Sequence, residues 1–366
     1  MLAYIDYPSW VTPEIFGFLH LPEGNFLNNF RWYGMMYIVA VGISYLLCMQ
    51  SLKTLNVKNI NKKNVDDYYF WGVIGLLLGA RVIFCIVYDF PYYITDLWEI
   101  LLPIRNGKFV GYAGMSFHGG AIGIFVVSVI FCKKRQIYFA DMCDLICPTL
   151  SGGYFFGRLA NFINAELYGR ITAAPIGMYF PNAQKLPLDY PHVQDVIDKL
   201  GWHGDKAAQT VTNAAGQVVE NAIAGNLVNL PRHPSQLYEA VFEGIVLFLI
   251  MWFVVRKIKW FKGFSGSAYL AGYGIFRFVI EFFRQPDSQF VNVAKGNYQG
   301  YIFGHISMGQ IFCLLMVLCA VIMGVWFYAM DRKIWFFANA GDTQNGDAGT
   351  KSAANNVNNK NKKKKK

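Results

Sequence analysis

The 366-residue chain is 54% hydrophobic and 17% aromatic, only 15% charged, and carries a formal net charge of +10. Soluble domains run at about 25% charged residues, so the composition excludes an ordinary water-soluble globule and points to a membrane protein. The positive excess does not read as a nucleic-acid surface. It sits in a Lys-rich C-terminal tail and in short clusters between apolar runs, where it sets membrane topology and meets anionic lipid.

In chain order, residues 1–31 form an N-terminal segment, and residues 1–30 hold no Lys or Arg from which to build the basic start of a signal peptide. About twenty apolar residues cross a bilayer. Seven such spans are expected, at 32–52, 69–88, 112–132, 139–157, 236–255, 264–284 and 307–330. The fourth is the most interrupted, by Asp141, Asp144, Pro148 and three glycines. Short loops settle the orientation. Lys53, Lys58, Lys62 and Lys63 follow span one; Lys133, Lys134 and Arg135 follow span three; Arg256, Lys257, Lys259 and Lys262 follow span five. The loop after span two carries only Arg105 and Lys108. The basic loops face the cytoplasm, which puts the N-terminus outside and the C-terminus inside.

The predicted fold is an all-α integral membrane protein of about seven transmembrane helices with an exterior head. Its divisions are an exterior segment 1–31, spans one to four over 32–157, a head over 158–235, spans five to seven over 236–330 and a basic tail over 331–366. Within the head, VQDVIDKL and DKAAQTVTNAAGQVVENAIAG read as short helices. The tail, ending in KKKKK, holds too little apolar surface to fold. All seven cysteines lie in apolar runs and read as small buried hydrophobes.

With direction assigned, the polar residues of the spans gather near one level. Tyr33 opens span one, Arg81 lies in the outer half of span two, and His118 stands about six residues into span three. Arg158 and Asn161 follow the outer end of span four. Glu239 opens span five with Glu243 one turn deeper, and Arg277, Glu281 and Arg284 lie in the outer half of span six. An ionisable group in lipid costs several kcal/mol unless it meets a cavity or a partner, so the convergence implies a polar cavity beneath the outer surface. Tyr273, Arg277, Glu281 and Arg284 form one helical stripe, and Arg277 and Glu281 can pair at i,i+4. An ion pair that only fixes packing accounts for those two alone. Two arginines against one glutamate leave an excess cation, which favours an anionic ligand.

The stretch GRLANFINAELYGR, residues 157–170, puts Arg158, Asn161 and Asn164 on one arc of a helix. Glu166 falls outside that arc, so it faces another partner such as Arg170, or the helix is broken there. His118 reads either as a tie between helices or as a proton acceptor near neutral pH. No second His at i+3 or i+4 supports a metal site.

Five blocks, GMSFHGG, GRLANFINAELYGR, RHPSQLYE, YGIFRFVIEFFRQPD and HISMGQ, resemble those of the prolipoprotein diacylglyceryl transferase family, in its order, over about residues 10–330. The resemblance implies an enzyme of the bacterial inner membrane whose active site opens toward the periplasm, with no metal or nucleotide cofactor. It implies two substrates, phosphatidylglycerol and a preprolipoprotein signal peptide with its lipobox cysteine. Diacylglyceryl would move to the thiol and glycerol phosphate would leave. Tyr33, His118, Arg158, Asn161, Glu166, Gly169, Arg277 and Glu281 match positions important in the family. Arg81, Asp144, Glu239 and Arg284 match further motif positions.

The residue types suit this chemistry. A free thiol with pKa about 8.5 is mostly protonated at neutral pH. His118, water or the field of the arginines would help it ionise. Arg158 and Arg277 suit a leaving phosphate. The rival class is a transporter or flippase for an anionic lipid or metabolite. It needs polar groups along both halves of its path, and here the inner halves are nearly free of charge.

Overall fold

The computed structural model describes residues 4–332 apart from 21, 23–24, 56–59, 89, 94–97, 102–103, 106–107, 110–113, 181–182, 202–209, 213–217, 222, 225–226, 259, 287–299 and 304. The chain is mostly helical. Its main helices are α1 (Trp32–Leu55), α2 (Lys62–Tyr88), α3 (Phe117–Arg135), α4 (Phe139–Ile163), α5 (Pro191–Leu200), α6 (Ser235–Ile258), α7 (Phe264–Ile280) and α8 (Met308–Arg332). Four of them, α1, α2, α6 and α8, are long and apolar enough to cross a membrane. The other three expected spans coincide with α3, α4 and α7. Asp331 and Arg332 end α8, and the rest of the basic tail, 333–366, lies outside the described residues.

The helices expose large apolar side chains and bury, beside apolar ones such as Leu145, Met251 and Phe327, several small polar ones. On α8, Phe312, Leu315, Leu318, Ile322, Val325 and Trp326 are exposed. Ser44, Ser51, Ser128, Thr149 and Ser151 are buried. Lipid is as apolar as a leucine side chain, so helices gain by close approach and interhelical hydrogen bonds. The α2–α3 contact follows this rule. A Cβ at Gly79 would meet the backbone of Gly119 and Gly123, and one at Gly75 would meet Val127. Between α1 and α4, a Cβ at Gly153 would stand 2.7 Å from the Ala40 carbonyl oxygen. Ser44 Oγ lies 2.8 Å from both Thr149 Oγ1 and Tyr69 Oη. The seven cysteines are free thiols.

Helix α4 is the organising element, packed on α1, α6 and α7. Near its start, Asp144 accepts from the backbone N–H groups of Gly263 at 2.7 Å and Ser265 at 2.8 Å. It thereby caps the first turn of α7, whose N–H groups lack helical partners. Asp144 is thus an anchor for α7, at the end of that helix remote from Arg277. Helix α6 widens into π turns over Ala240–Val246 and Ile250–Val255, a departure that marks functional stretches of long helices.

Between α4 and α6, the described residues of 164–234, the head segment of the sequence, hold a hydrophobic cluster of their own. Val193, Val196 and Ile197 on one face of α5 pack on Val228 and Leu230, each burial contributing about 1.5–3 kcal/mol. The N-terminal segment is stitched to this head. Ile5–Asp6 pairs in parallel with Met178–Tyr179, and Tyr7 Oη donates to the carbonyls of Phe162 and Ile163 at 2.9 Å. VQDVIDKL is helical, as expected. The other expected head helix is not: Thr210–Thr212 pairs antiparallel with Val218–Asn221, and Ile223–Ala224 with Leu227–Val228. Threonine and valine alternate there and favour a pleated surface over a helix.

Candidate active site

Three helices bring charge to one place. Arg158 sits five residues before Ile163, the end of α4, Glu239 and Glu243 lie one turn apart on α6, and Arg277 lies in the last turn of α7. Glu239, fully buried, is their common centre. One carboxylate oxygen takes a hydrogen bond from Arg277 Nη1 at 2.5 Å, and the other lies 2.8 Å from Arg158 Nε. Arg277 Nη1 is also 3.8 Å from Glu243 Oε1, and its Nη2 is 3.1 Å from Glu281 Oε2. The expected Arg277–Glu281 pair is present, but it is the edge of a larger cluster.

Neutral groups complete the lattice. Arg158 Nε donates to Tyr154 Oη at 2.7 Å, and Tyr154 Oη donates in turn to Glu243. Tyr273 Oη lies 3.3 Å from Tyr154 Oη. Glu281 is seated by Ser307, whose Oγ donates to it at 3.4 Å. Gln310 Oε1 accepts from the Ser307 backbone N–H at 2.9 Å. A side chain at Gly309 would strike the Glu281 carboxylate. The block HISMGQ therefore shapes the cradle of one carboxylate.

The other side of Arg158 is different. Its Nη1 turns to Asn161 Oδ1 at 3.3 Å, and Asn161 Nδ2 donates to Glu166 Oε1 at 2.8 Å. Tyr33, at the start of α1, lies close enough to Arg158 and Glu166 to feel both charges, with its hydroxyl 3.3 Å from that of Tyr37. Arg158 thus uses Nε toward the buried carboxylates and its fork toward a polar face of Tyr33, Asn161 and Glu166.

Glu166 reaches that face because α4 stops at Ile163 and the chain reverses. Ala165 and Leu167, on either side of Glu166, both take left-handed backbone angles, φ 51° and 55°, which are costly for residues with a side chain. The turn is held from outside. Gln236 Nε2 donates to the Glu166 carbonyl at 2.6 Å, and Ser235 Oγ to that of Leu167 at 2.9 Å. Strain held in place by its surroundings is a mark of a functional turn.

A family model described as Prolipoprotein diacylglyceryl transferase matches residues 25–326, which contain every one of these groups. The chain belongs to the prolipoprotein diacylglyceryl transferase family. A phosphatidylglycerol–prolipoprotein diacylglyceryl transferase of Treponema denticola is 41% identical over 352 residues, covering 91% of this chain and 97% of its own. Proteins of the same name from Treponema pallidum and Chlorobaculum tepidum are each 38% identical, covering 87% of this chain and 93% and 91% of theirs. These relatives give the transporter reading no support.

Within this family member, Tyr33, Arg158, Asn161, Glu166, Glu239, Arg277 and Glu281 come together as one cluster. The remaining sequence candidates stand around it. Gly169 donates its N–H to the His233 carbonyl at 2.8 Å and pairs with Arg284 across an antiparallel bridge. A Cβ at Gly169 would strike the carbonyls of Phe283 and His233, so this glycine permits the joint between signature turn and α7. Arg284 lies beyond the end of α7 and leaves the expected stripe at that joint. It remains within electrostatic reach of Glu239. Arg81 donates to the carbonyls of Glu99 at 2.8 Å and Ile100 at 3.2 Å and stacks over Tyr93, so these contacts bind a loop. His118 stands in the first turn of α3, behind the N-cap Ser116, with an exposed side chain. It is not six residues into a helix, because α3 starts at Phe117. It belongs to the α2–α3 pair, whereas the arginines belong to α4 and α7.

Of the two readings of Glu166, the broken helix holds, since α4 ends at Ile163 and Glu166 accepts from Asn161 Nδ2. One expectation is corrected here: Arg277 and Arg284 do not stand against Glu281 alone, because Glu239 and Glu243 of α6 also face Arg277 and the expected cation excess is absent. Sequence reasoning also passed over Glu243 and Tyr154 as site residues. Both were signalled by position, Glu243 at i+4 from Glu239 and Tyr154 at i−4 from Arg158.

Proposed function

We propose that this chain transfers the diacylglyceryl group of phosphatidylglycerol to the lipobox cysteine of preprolipoproteins, forming a thioether and releasing glycerol phosphate. The observation that carries the proposal is one constellation: Arg158 held by Glu239 through Nε, with its fork turned toward Asn161, Glu166 and Tyr33, in a chain of the transferase family.

The thiol loses its proton to His118, to water, or under the field of the arginines, and the thiolate attacks the glycerol carbon that carries the phosphate. The new S–C bond forms as the C–O bond to phosphate breaks, and the leaving oxygen takes the electron pair. No net oxidation occurs, so the step needs no redox cofactor. Arg158 and Arg277 hold the departing phosphate in a site from which water is largely excluded, where charged hydrogen bonds count most. Asn161 and Tyr33 position the headgroup. Glu239 and Glu281 fix the arginines, and Glu166 orders Asn161.

All seven apolar helices cross the bilayer in this reading, with the N-terminus and the head outside and the basic tail in the cytoplasm, following the positive-inside rule. The active site opens toward the periplasmic face of the inner membrane, where both substrates present their reacting groups. The test incubates purified protein with labelled phosphatidylglycerol and a lipobox-cysteine peptide. Labelled thioether and free glycerol phosphate are expected in equal amounts. Absence of both, under conditions in which an authentic transferase works, sinks the assignment.

A further inference from the structure

The transfer step uses Arg158 but gives no part to Tyr154, which stands one helical turn earlier on α4. Long side chains in a helix lean back over the preceding turn, so residues four apart meet. Tyr154 and Arg158 meet twice. The guanidinium carbon stands 4.8 Å from the centroid of the Tyr154 ring, within the range of a cation–π contact. Its Nε–H donates to the Tyr154 hydroxyl at 2.7 Å. Glu239 Oε2 lies almost as near, 2.8 Å from Nε, yet this buried oxygen accepts no hydrogen bond. The N–H therefore points at the tyrosine, and the glutamate holds Arg158 by charge.

A tyrosine hydroxyl has one proton to give and lone pairs with which to accept. Here the proton goes to Glu243 on α6, and the oxygen accepts from Arg158. Tyr273 on α7, its hydroxyl 3.3 Å away, is then left to donate. Side chains from three helices thus fix one oxygen, and that oxygen fixes one N–H of a rigid, planar group. Charge attracts without setting a plane, whereas a ring beneath the guanidinium and an acceptor at Nε set it together. The plane decides where the other nitrogens point. Nη1 reaches Asn161 Oδ1 at 3.3 Å, and Nη2 has no hydrogen-bond partner among the described residues.

We propose that Tyr154 is the positioning residue of Arg158: its ring and hydroxyl aim the guanidinium fork at the face of Asn161, Glu166 and Tyr33, where the leaving phosphate is held. The kinetic consequence rests on the transferase reading; the orientation of Arg158 does not.

Tyr154→Phe keeps the ring and deletes the hydroxyl. With labelled phosphatidylglycerol and a lipobox-cysteine peptide, kcat of the purified full chain should fall about 10- to 100-fold, the worth of one hydrogen bond to a charged group. KM for phosphatidylglycerol should stay within about threefold, since a loss carried by kcat marks an interaction realised in the transition state. Thr149→Val removes a different buried hydroxyl of α4, one bonded to Ser44, and should lower the melting temperature with kcat unchanged. An unchanged kcat in Tyr154→Phe, an equal fall in Thr149→Val, or a loss carried by KM alone overturns the proposal. A second readout needs no substrate. In protein carrying isotope-labelled arginine, the Nε–H resonance of Arg158 is identified by its loss in Arg158→Lys. It should shift in Tyr154→Phe and hold its place in Thr149→Val; an unshifted resonance in Tyr154→Phe overturns the proposal. If Tyr154→Phe does not fold, a ring-fluorinated tyrosine at position 154, a weaker acceptor, must still move the resonance, and a resonance that stays put is equally fatal. A resonance that shifts as expected in a wild-type background without transfer activity sinks the transferase reading alone.

Discussion

Two buried guanidinium sites in this chain solve the same problem differently. In the bundle, Arg158 and Arg277 are met by Glu239, Glu243 and Glu281, with three tyrosine or serine hydroxyls filling the remaining valences. In the head, Arg232 is met by two backbone carbonyls, one glutamine and one aromatic face. Lipid supplies neither counter-charge nor water, so a cation among spans has to bring its own carboxylate. The segment after α4 instead holds its cation on dipoles and an aromatic face. The bundle cluster carries its own carboxylates, whereas Arg232 has none among its described contacts.

The largest effect expected from breaking this contrast is on turnover. Arg277→Lys removes a fork that reaches Glu239 through one nitrogen and Glu281 through another. An ammonium cannot serve both directions. Transfer should fall about 10²- to 10³-fold, the cost of losing one donor to a developing oxyanion. Measured kcat within threefold of wild type would remove Arg277 from the mechanism.

The Arg277–Glu281 pair was legible because it lies on one helix at one period, and only local geometry was needed. The Glu239 bridge was not, since it joins α4, α6 and α7 and depends on how three helices pack. The turn at Glu166 was legible only as one of two alternatives, for a different reason. No residue in FINAELY announces two successive left-handed corners, because Ala165 and Leu167 are types that rarely take them. The strain is held by Ser235 and Gln236, seventy residues away in sequence. The head strands were misread because an Ala-, Asn- and Gln-rich stretch looks helical until its Thr and Val alternate against a partner. By contrast, the apolar runs predicted the positions of the helices, since span length depends on the bilayer alone.

Glu239→Gln attacks the same cluster through stability. It leaves two guanidiniums in one buried pocket without their shared anion. Removing one partner of a buried ion pair costs about 3–5 kcal/mol. The variant should unfold in detergent at visibly lower temperature. Equal melting temperatures would mean that Glu243 and Glu281 suffice to balance both arginines.

Arg232→Met tests the other side of the comparison and should cost less. It deletes charged hydrogen bonds to carbonyls, worth about 2 kcal/mol, but also removes a buried cation that lacks a carboxylate. Limited proteolysis should cut within 164–234 faster than in wild type while the bundle stays intact. If cleavage is unchanged, the carbonyls of Gly169 and Gln184 find other donors and Arg232 is not what holds the head together.

The smallest effect is on pH. Burial pushes the imidazoles of both His192 and His233 below their ordinary value. His233 packs against Phe283 and Tyr238, with its Nδ1 3.1 Å from the Tyr238 hydroxyl. The unfolded head binds these protons near pH 6.5, whereas the folded head binds them only at lower pH. The unfolded state therefore holds more protons across that interval, and stability rises with pH there. The neutral-imidazole contribution is complete above about pH 6.5 and is lost as pH falls through the depressed folded values. Both rings are partly solvated, so the loss is modest. Amide exchange in the head should quicken as pH falls from 7 to 5 beyond the intrinsic chemical dependence, and the bundle should not follow. His192→Gln with His233→Gln should flatten that difference. A head whose excess exchange keeps its full pH dependence in the double variant owes it to other groups.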